Sequence, residues 1–299
     1  MGHNHKHHNH SHDHSSVKNI KIAFFLNFFF TIIEFIGGYL TNSVAIMSDA
    51  LHDLGDTFSL GLAWFLEKFS SKKRNNKFSY GYKRFSLLGA FINAVILLLG
   101  SLFILSEAIP RIINPETSNA QGMLILAIFG IIVNGYAVYK TSKGKTMNEK
   151  VISWHLLEDV LGWVAVFIVS IVMIFTNLTI LDPILSILIT LYILWGVLKN
   201  LKATALLFLQ ATPSDLDTNK IDNELKKNLL VQDIHDTHIW SLDGEEHILS
   251  SHIVIRGNSN KEDIKKIKIE IKKNLINQGI KHSTLEIEFE DEICEDYCK

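Results

Sequence analysis

Asp49, His52, Asp53 and Asp56 lie within an otherwise apolar stretch that begins near Val44. Steps of three and four residues put all of them on one face of a helix. A second apolar stretch carries His155, Glu158 and Asp159 at the same steps. Ionisable groups are costly in hydrocarbon unless paired, and by default they mark an ion pathway. Two H-x-x-x-D pairs, His52 with Asp56 and His155 with Asp159, offer two imidazoles and two carboxylates from two helices. Such N/O ligands suit a tetrahedral Zn2+ or Co2+ better than the oxygen shells of Mg2+ or Ca2+. Two carboxylates cancel the charge of a divalent cation, and protons on the same groups restore neutrality in part when it leaves. A lone His of this kind is ordinarily a hydrogen-bonded core residue, but two matching pairs inside apolar spans argue against that reading. Asn27, Glu34, Asn93, Asn134 and Asp182 fall in the apolar stretches too, and are expected to line a wet interior.

Positioning these groups requires helices that cross a bilayer. Six stretches approach the roughly 20 residues needed, near Ile20 to Leu40, Val44 to Leu66, Phe85 to Ile109, Met123 to Tyr139, Val151 to Phe175 and Leu181 to Leu201. The second and third are separated by Lys68, Lys72, Lys73, Arg74, Lys77, Lys83 and Arg84, and the fourth and fifth by Lys140, Lys143, Lys145 and Lys150. The opposite connections offer only Arg111. The positive-inside rule therefore places both termini in the cytoplasm. The opening residues lack the order of a signal peptide, so the first span is expected to be retained.

Beyond Pro213 the pattern becomes that of a soluble domain of order αββαβ: a helix around Asp215 to Leu229, strands over Ile234 to Leu242 and His247 to Arg256 joined at Asp243-Gly244, a helix over Lys261 to Asn277, and a strand over Thr284 to Phe289. Ile264, Ile267, Ile271 and Leu275 give the second helix one apolar face for a small sheet. The expected organisation is a His-rich tail over 1–16, a six-helix transport domain over 17–210 and a cytoplasmic domain over 211–299. The 29 Lys and Arg nearly balance 31 Asp and Glu, so no global field recommends nucleic acid as a partner.

Weaker metal signals flank these parts. His3, His5, His7, His8, His10, His12 and His14, interleaved with Asn, Lys, Ser and Asp, read as a metal-catching tail rather than a purification tag, one that loads a pore without forming it. His235 and His252 fall on the two strands of the hairpin, and Glu286 and Glu288 share a face of the third. Cys294 and Cys298 form a C-x-x-x-C pair, whose thiolates are natural zinc ligands in a reducing compartment; unstructured tail thiols are the competing reading. His238, His247 and His282 read as surface or hairpin residues, alternation turning His238 away from His235.

The segments "SVAIMSDALHDLGD", "YGYKRFSLLGAFINAV", "MNEKVISWHLLEDVLGWVAV", "LDPILSILITLYILWG" and "IHDTHIWSLDGEEHILSSHIVI" resemble the zinc-type branch of the cation diffusion facilitator family. The resemblance implies an α-helical membrane protein: a six-transmembrane-helix bundle with a C-terminal cytoplasmic α/β domain of ferredoxin-like, metallochaperone-like fold. It implies a homodimeric antiporter that exports Zn2+ in exchange for H+, with no prosthetic group. Co2+ and Cd2+ are further candidate substrates. The family's transport site carries over to His52, Asp56, His155 and Asp159, and His52 argues for zinc because the manganese and iron branches have Asp there. Its cytoplasmic zinc site matches His235, His252 and Glu288; the C-x-x-x-C pair adds Cys294 and Cys298 as candidate further ligands, and zinc bound there is expected to be regulatory. The implied location is the plasma or inner membrane of a bacterium. Two departures stand out: Ser86 replaces an acidic residue of many members, and the His-rich loop usual between spans four and five is only "KTSKGKTMNEK", which leaves metal capture to the amino terminus.

Two other classes share some of these features. An intramembrane metallohydrolase would need a buried His and Asp site, but no H-E-x-x-H occurs and no general base is evident. A membrane-tethered metal sensor would not require ligands deep within the spans.

Overall fold

Asp182 shows how the helices are joined: its carboxylate accepts the Ser43 hydroxyl at 2.6 Å and the Val44 and Ala45 backbone N–H groups at 2.9 and 3.3 Å. The first N–H groups of a helix have no partner within it, and this carboxylate supplies one. The computed structural model describes residues 13–70, 72, 74–142, 147–257, 259–290 and 292. Within them run α1 (Asp13–Thr41), α2 (Val44–Ser70), α3 (Arg84–Ile113), α4 (Ala120–Thr141), α5 (Met147–Thr176) and α6 (Leu181–Phe208). They are followed by α7 (Thr218–Leu225), β1 (Val231–Ser241), β2 (His247–Ile255), α8 (Lys261–Asn277) and β3 (Ile280–Phe289). Residues 1–12 of the His-rich tail, and Cys294 and Cys298, lie outside the described residues.

Two units are distinguished. One is helical; its described part runs through Trp64 and over Ile92–Asn200. Among the described residues, four helices are long and apolar enough to cross a membrane: Arg84–Ile113, Ala120–Lys140, Ser153–Thr176 and Leu181–Phe208. In α1 the described apolar part is the shorter Asn27–Thr41, and α2 interrupts its apolar stretch with Asp49, Asp53 and Asp56. Large side chains such as Tyr39, Leu102, Phe103 and Phe175 are exposed on the helices, as suits surfaces that face lipid.

Inside the helical unit Phe30, Ile46, Met123, Ala127, Trp163 and Val166 form the buried centre. Glycines let α4 approach closely. A Cβ on Gly130 would collide with the Trp163 indole, and one on Gly122 would lie 2.7 Å from the Thr41 side chain. The turn between α1 and α2 uses Asn42 at φ 51°, and Arg111 donates to both its backbone and its side-chain oxygen at 3.1 Å. Asp182 was expected to line a wet interior; it is instead buried and committed to the start of α2.

The other unit holds Phe65–Phe91 and the chain from Leu201 onward. Its sheet has the order β1-β2-β3, with β1 antiparallel to β2 and β2 parallel to β3, so α8 makes the crossover between β2 and β3. This is the αββαβ order expected. Asn260 and Asp263 form a capping box that starts α8. Ile267, Ile271 and Leu275 bury one stripe of α8 against Ile253, Ile255 and Leu249, a contribution of about 1.5–3 kcal/mol for each side chain.

Strict alternation cannot bury both Ile234 and Ile239, which are an odd number of residues apart, yet both face the core. The strand resolves this with an extra residue: His235 pairs with His252 but His238 with Ser250, and Asp236 between them sits at φ 49°. The bulge also overturns the expectation for His238. Ser250 and His252 share a face of β2, so His238 returns to the face of His235. His247 opens β2 at the hairpin, one of the two places expected for it, but is buried rather than on the surface, its Nε2 3.4 Å from Asp215. His282 is exposed and rests edge-on to Tyr80.

Candidate metal centre

Helical spacing on α2 stacks His52 above Asp56, and on α5 His155 above Asp159. The structure brings the two pairs together. His52, His155 and Asp159 each offer one ligand atom, all within 4.8 Å of one another. Asp56 is not one of that trio but borders its two histidines, Oδ2 lying 3.5 Å from His52 Nε2 and 3.0 Å from His155 Nε2. The two imidazole rings are 5.8 Å apart and near perpendicular. His52 Nδ1 and Asp159 Oδ2 are buried without a hydrogen-bond partner. Buried polar atoms are rarely left so, and a cation between the helices would answer them.

Access is provided by a cavity of about 250 Å³ lined by Asp49, His52, Glu158, Asp159, Gly162 and Tyr192 among others. Gly162 faces Asp49 here, and a Cβ at that position would stand in ordinary contact, 3.6 Å from Asp49 Oδ1. The Tyr192 hydroxyl donates to Glu158 at 3.3 Å, so Glu158 is held toward α6 while Asp159, one residue on, belongs to the cluster. Ser48 and Thr190 share a hydrogen bond of 2.9 Å between α2 and α6.

A second group lies on the sheet face opposite α7 and α8. Register sets it: His235 pairs with His252 across β1 and β2, and His252 with Glu286 across β2 and β3. Glu288 offers its two oxygens to two imidazoles, Oε1 to His252 Nδ1 at 2.5 Å and Oε2 to His235 Nε2 at 3.3 Å. Those three residues can each offer an atom to one ion. Glu286 approaches His252 at 3.6 Å. Asp236, not singled out in the sequence, reaches His238 at 3.0 Å and His252 at 3.7 Å. Its signal was its position beside His235, but only the bulge turns its carboxylate toward them. The donor set of imidazole nitrogen and carboxylate oxygen suits Zn2+.

Away from that group, Lys226 holds the Asp233 carboxyl below its ordinary range, and Lys83 does the same for Glu246. Asp222 is raised by burial, against a hydrogen bond from Thr237.

Residues 20–209 match the cation efflux transmembrane domain, and residues 213–290 match the cytoplasmic domain of cation efflux proteins. The chain belongs to the cation efflux family. It is 35% identical over 294 residues to the cadmium, cobalt and zinc/H(+)-K(+) antiporter of Bacillus subtilis, covering 97% of this chain and 93% of that protein. It is 36% identical over 242 residues to the zinc transporter ZitB of Yersinia pestis, covering 80% and 77%. It is 32% identical over 255 residues to the metal cation efflux system protein CzcD of Cupriavidus metallidurans, covering 85% and 79%.

Proposed function

We propose that the protein exports divalent metal from the cytoplasm, Zn2+ foremost with Co2+ and Cd2+ as further substrates, in exchange for H+. The observation that carries this reading is the meeting of His52, Asp56, His155 and Asp159 between two apolar helices. A divalent ion held there is neutralised by the two carboxylates, which lets it rest in a low-dielectric interior. The ligands must shed protons to bind it, so proton binding and metal binding oppose each other at one site. Two conformations that expose the site in turn then suffice for antiport.

The relatives named as zinc transporters and as a zinc/H(+)-K(+) antiporter support the choice of substrate and counter-ion. They do not favour the metallohydrolase or tethered-sensor readings. In this reading α1 and α2 complete a set of six spans in a bacterial membrane, both termini are cytoplasmic, and the unit beyond Pro213 pairs two copies into a homodimer. Zinc at His235, His252 and Glu288, with Cys294 and Cys298 as added ligands, regulates the dimer. The domain limits are 1–16, 17–210 and 211–299.

The test is Zn2+ flux in proteoliposomes with and without an imposed pH gradient. Wild-type protein should transport zinc and respond to the gradient, whereas Asp159→Ala should insert normally and transport none. Wild-type flux from Asp159→Ala would remove the site from the pathway.

A further inference from the structure

From Lys68 to Arg84, between α2 and α3, the chain carries seven basic residues and no acidic one. The later part of this segment is a tied loop. Asn75 Oδ1 accepts the Lys77 and Phe78 backbone N–H groups at 2.9 and 2.8 Å, and the Asn75 amide donates to the Tyr82 hydroxyl at 2.8 Å. Gly81 turns the chain at φ 81°, its N–H donating to the Phe78 carbonyl at 3.0 Å. The loop is also fastened within its own unit, because Lys83 pairs with Glu246 and Tyr80 rests edge-on to His282 at 5.6 Å.

Between this loop and the end of β1 lies a cavity of about 330 Å³, lined by Lys77, Ser79, Tyr80, Arg84, Gln210 and Trp240 among others. That volume suits a small ligand or a head group, at the lower end of the range of about 300–1,000 Å³ usual for such sites. Its charge is one-sided: Lys77, Lys83 and Arg84 line it, and no acidic side chain does among the described residues. Glu246 answers Lys83. Neither Lys77 nor Arg84 has an ion-pair partner among the described residues, Lys77 Nζ lying 5.9 Å from the centre of the Phe78 ring. Arg84 Nε is buried with no hydrogen-bond partner. A buried N–H of a guanidinium is costly in that state, and an anion in the cavity relieves it.

We propose that this cavity binds a phosphate group, and that its source is the head group of an anionic phospholipid. Arg84 offers the forked donors that match two phosphate oxygens, and Lys77 a point charge. The Ser79 hydroxyl and the Gln210 amide line the same space and offer further donors. Tyr80 and Trp240 give it the amphipathic aromatic wall that suits the boundary between lipid and water. A free phosphate presents the same oxygens. The lipid is favoured because Arg84 opens α3, a helix long and apolar enough to cross a membrane, so that in the six-span reading above it stands at the depth of cytoplasmic head groups.

The experiment uses full-length protein, stripped of lipid in a neutral detergent and titrated separately with short-chain phosphatidylglycerol, short-chain phosphatidylcholine and inorganic phosphate. Native mass spectrometry counts bound lipid, and the melting temperature reports binding of either kind. Phosphatidylglycerol should bind more tightly than phosphatidylcholine, whose own cation cancels its phosphate. Arg84→Gln should weaken it by about tenfold or more, and Lys77→Gln by about threefold. Lys72 lies in the same segment but does not line the cavity, so Lys72→Gln removes an equal charge and should change the affinity by less than about twofold. Binding of inorganic phosphate alone, lost in Arg84→Gln, would uphold the phosphate site and overturn the lipid source. Equal losses in Lys72→Gln and Lys77→Gln would show diffuse attraction to the segment and overturn the site. Wild-type affinity in Arg84→Gln, or no binding of any of the three by wild type, would do the same. Should Arg84→Gln fail to fold, the comparison of Lys77→Gln with Lys72→Gln decides. None of these readings uses zinc, so failure of the transport reading remains distinct, as flux unaffected by Asp159→Ala.

Discussion

Gly130 of α4 lies directly against the Trp163 indole of α5, with no room between them for a methyl group. Trp163 follows Asp159 by one helical turn, so this contact fixes the rotation of the helix that presents a proposed ligand. Gly130→Ala forces the indole or the helix to shift, at a cost of about 1–3 kcal/mol. The variant should melt at a lower temperature in detergent and bind zinc more weakly. An undiminished zinc affinity would show that α5 absorbs the change elsewhere.

Asp182 makes a second joint of this kind, between α6 and the first turn of α2. Asp182→Ala strands the buried Val44 and Ala45 N–H groups, each costing about 1–3 kcal/mol when left unsatisfied. Ser43→Ala removes two bonds, the one given to Asp182 and the one taken from the Ile46 N–H, against three for Asp182→Ala; it strands one N–H rather than two and should destabilise less. Thermal melts of the two variants should rank in that order, and the reverse ranking would contradict the capping role.

Stability should carry an acid limb traceable to Glu246. Its carboxyl is held below the ordinary range by Lys83, with help from Lys281. A carboxylate whose folded value is lowered stabilises the fold above its unfolded value, near 4.3, and loses that contribution as pH falls through the lower, folded one. Asp233 beside Lys226 acts with the same sign. In Glu246→Gln the melting temperature should fall less between neutral pH and about pH 3 than in wild type. An identical slope would mean that the Lys83 contact contributes nothing in solution.

At the sheet, Glu288 bridges two imidazoles and so sets the separation of the ligands. Zinc added to the full-length protein should raise its melting temperature, since an ion bound only by the folded state stabilises it by mass action. His252→Ala should abolish most of that rise. Replacing both Cys294 and Cys298 should reduce it. A zinc-induced rise that survives His252→Ala would place the responsible ion elsewhere.

How much of this was legible in the sequence depended on whether a local rule had a single answer. α8 was legible as a helix around Lys261 to Asn277 because its apolar stripe has one period, and Asn260 and Asp263 cap its start. The helix before the sheet was read too long: it spans only Thr218–Leu225, because Asp217 caps it by accepting from Asn219 and Lys220. The third strand begins at Ile280, before the expected Thr284, since Lys281, His282 and Ser283 form an exposed or half-exposed edge that no apolar alternation reveals. The H-x-x-x-D pairs identified the residues that meet between α2 and α5. The cavity beside Arg84 was beyond reach, since a run of basic residues does not say which of them share a wall.

The extra residue at Asp236 gives β1 a parity that is spent once. Before it, even-numbered Ile234 faces the core; beyond it, odd-numbered Ile239 does. Because His235 and His238 take the other face on either side of that change, the greasy core and the ligand face are read in the same frame. Losing a single residue there would leave each half-strand intact yet out of phase, turning either an isoleucine toward water or a histidine into the core. The hairpin can therefore exchange one side chain for another more readily than it can alter its length.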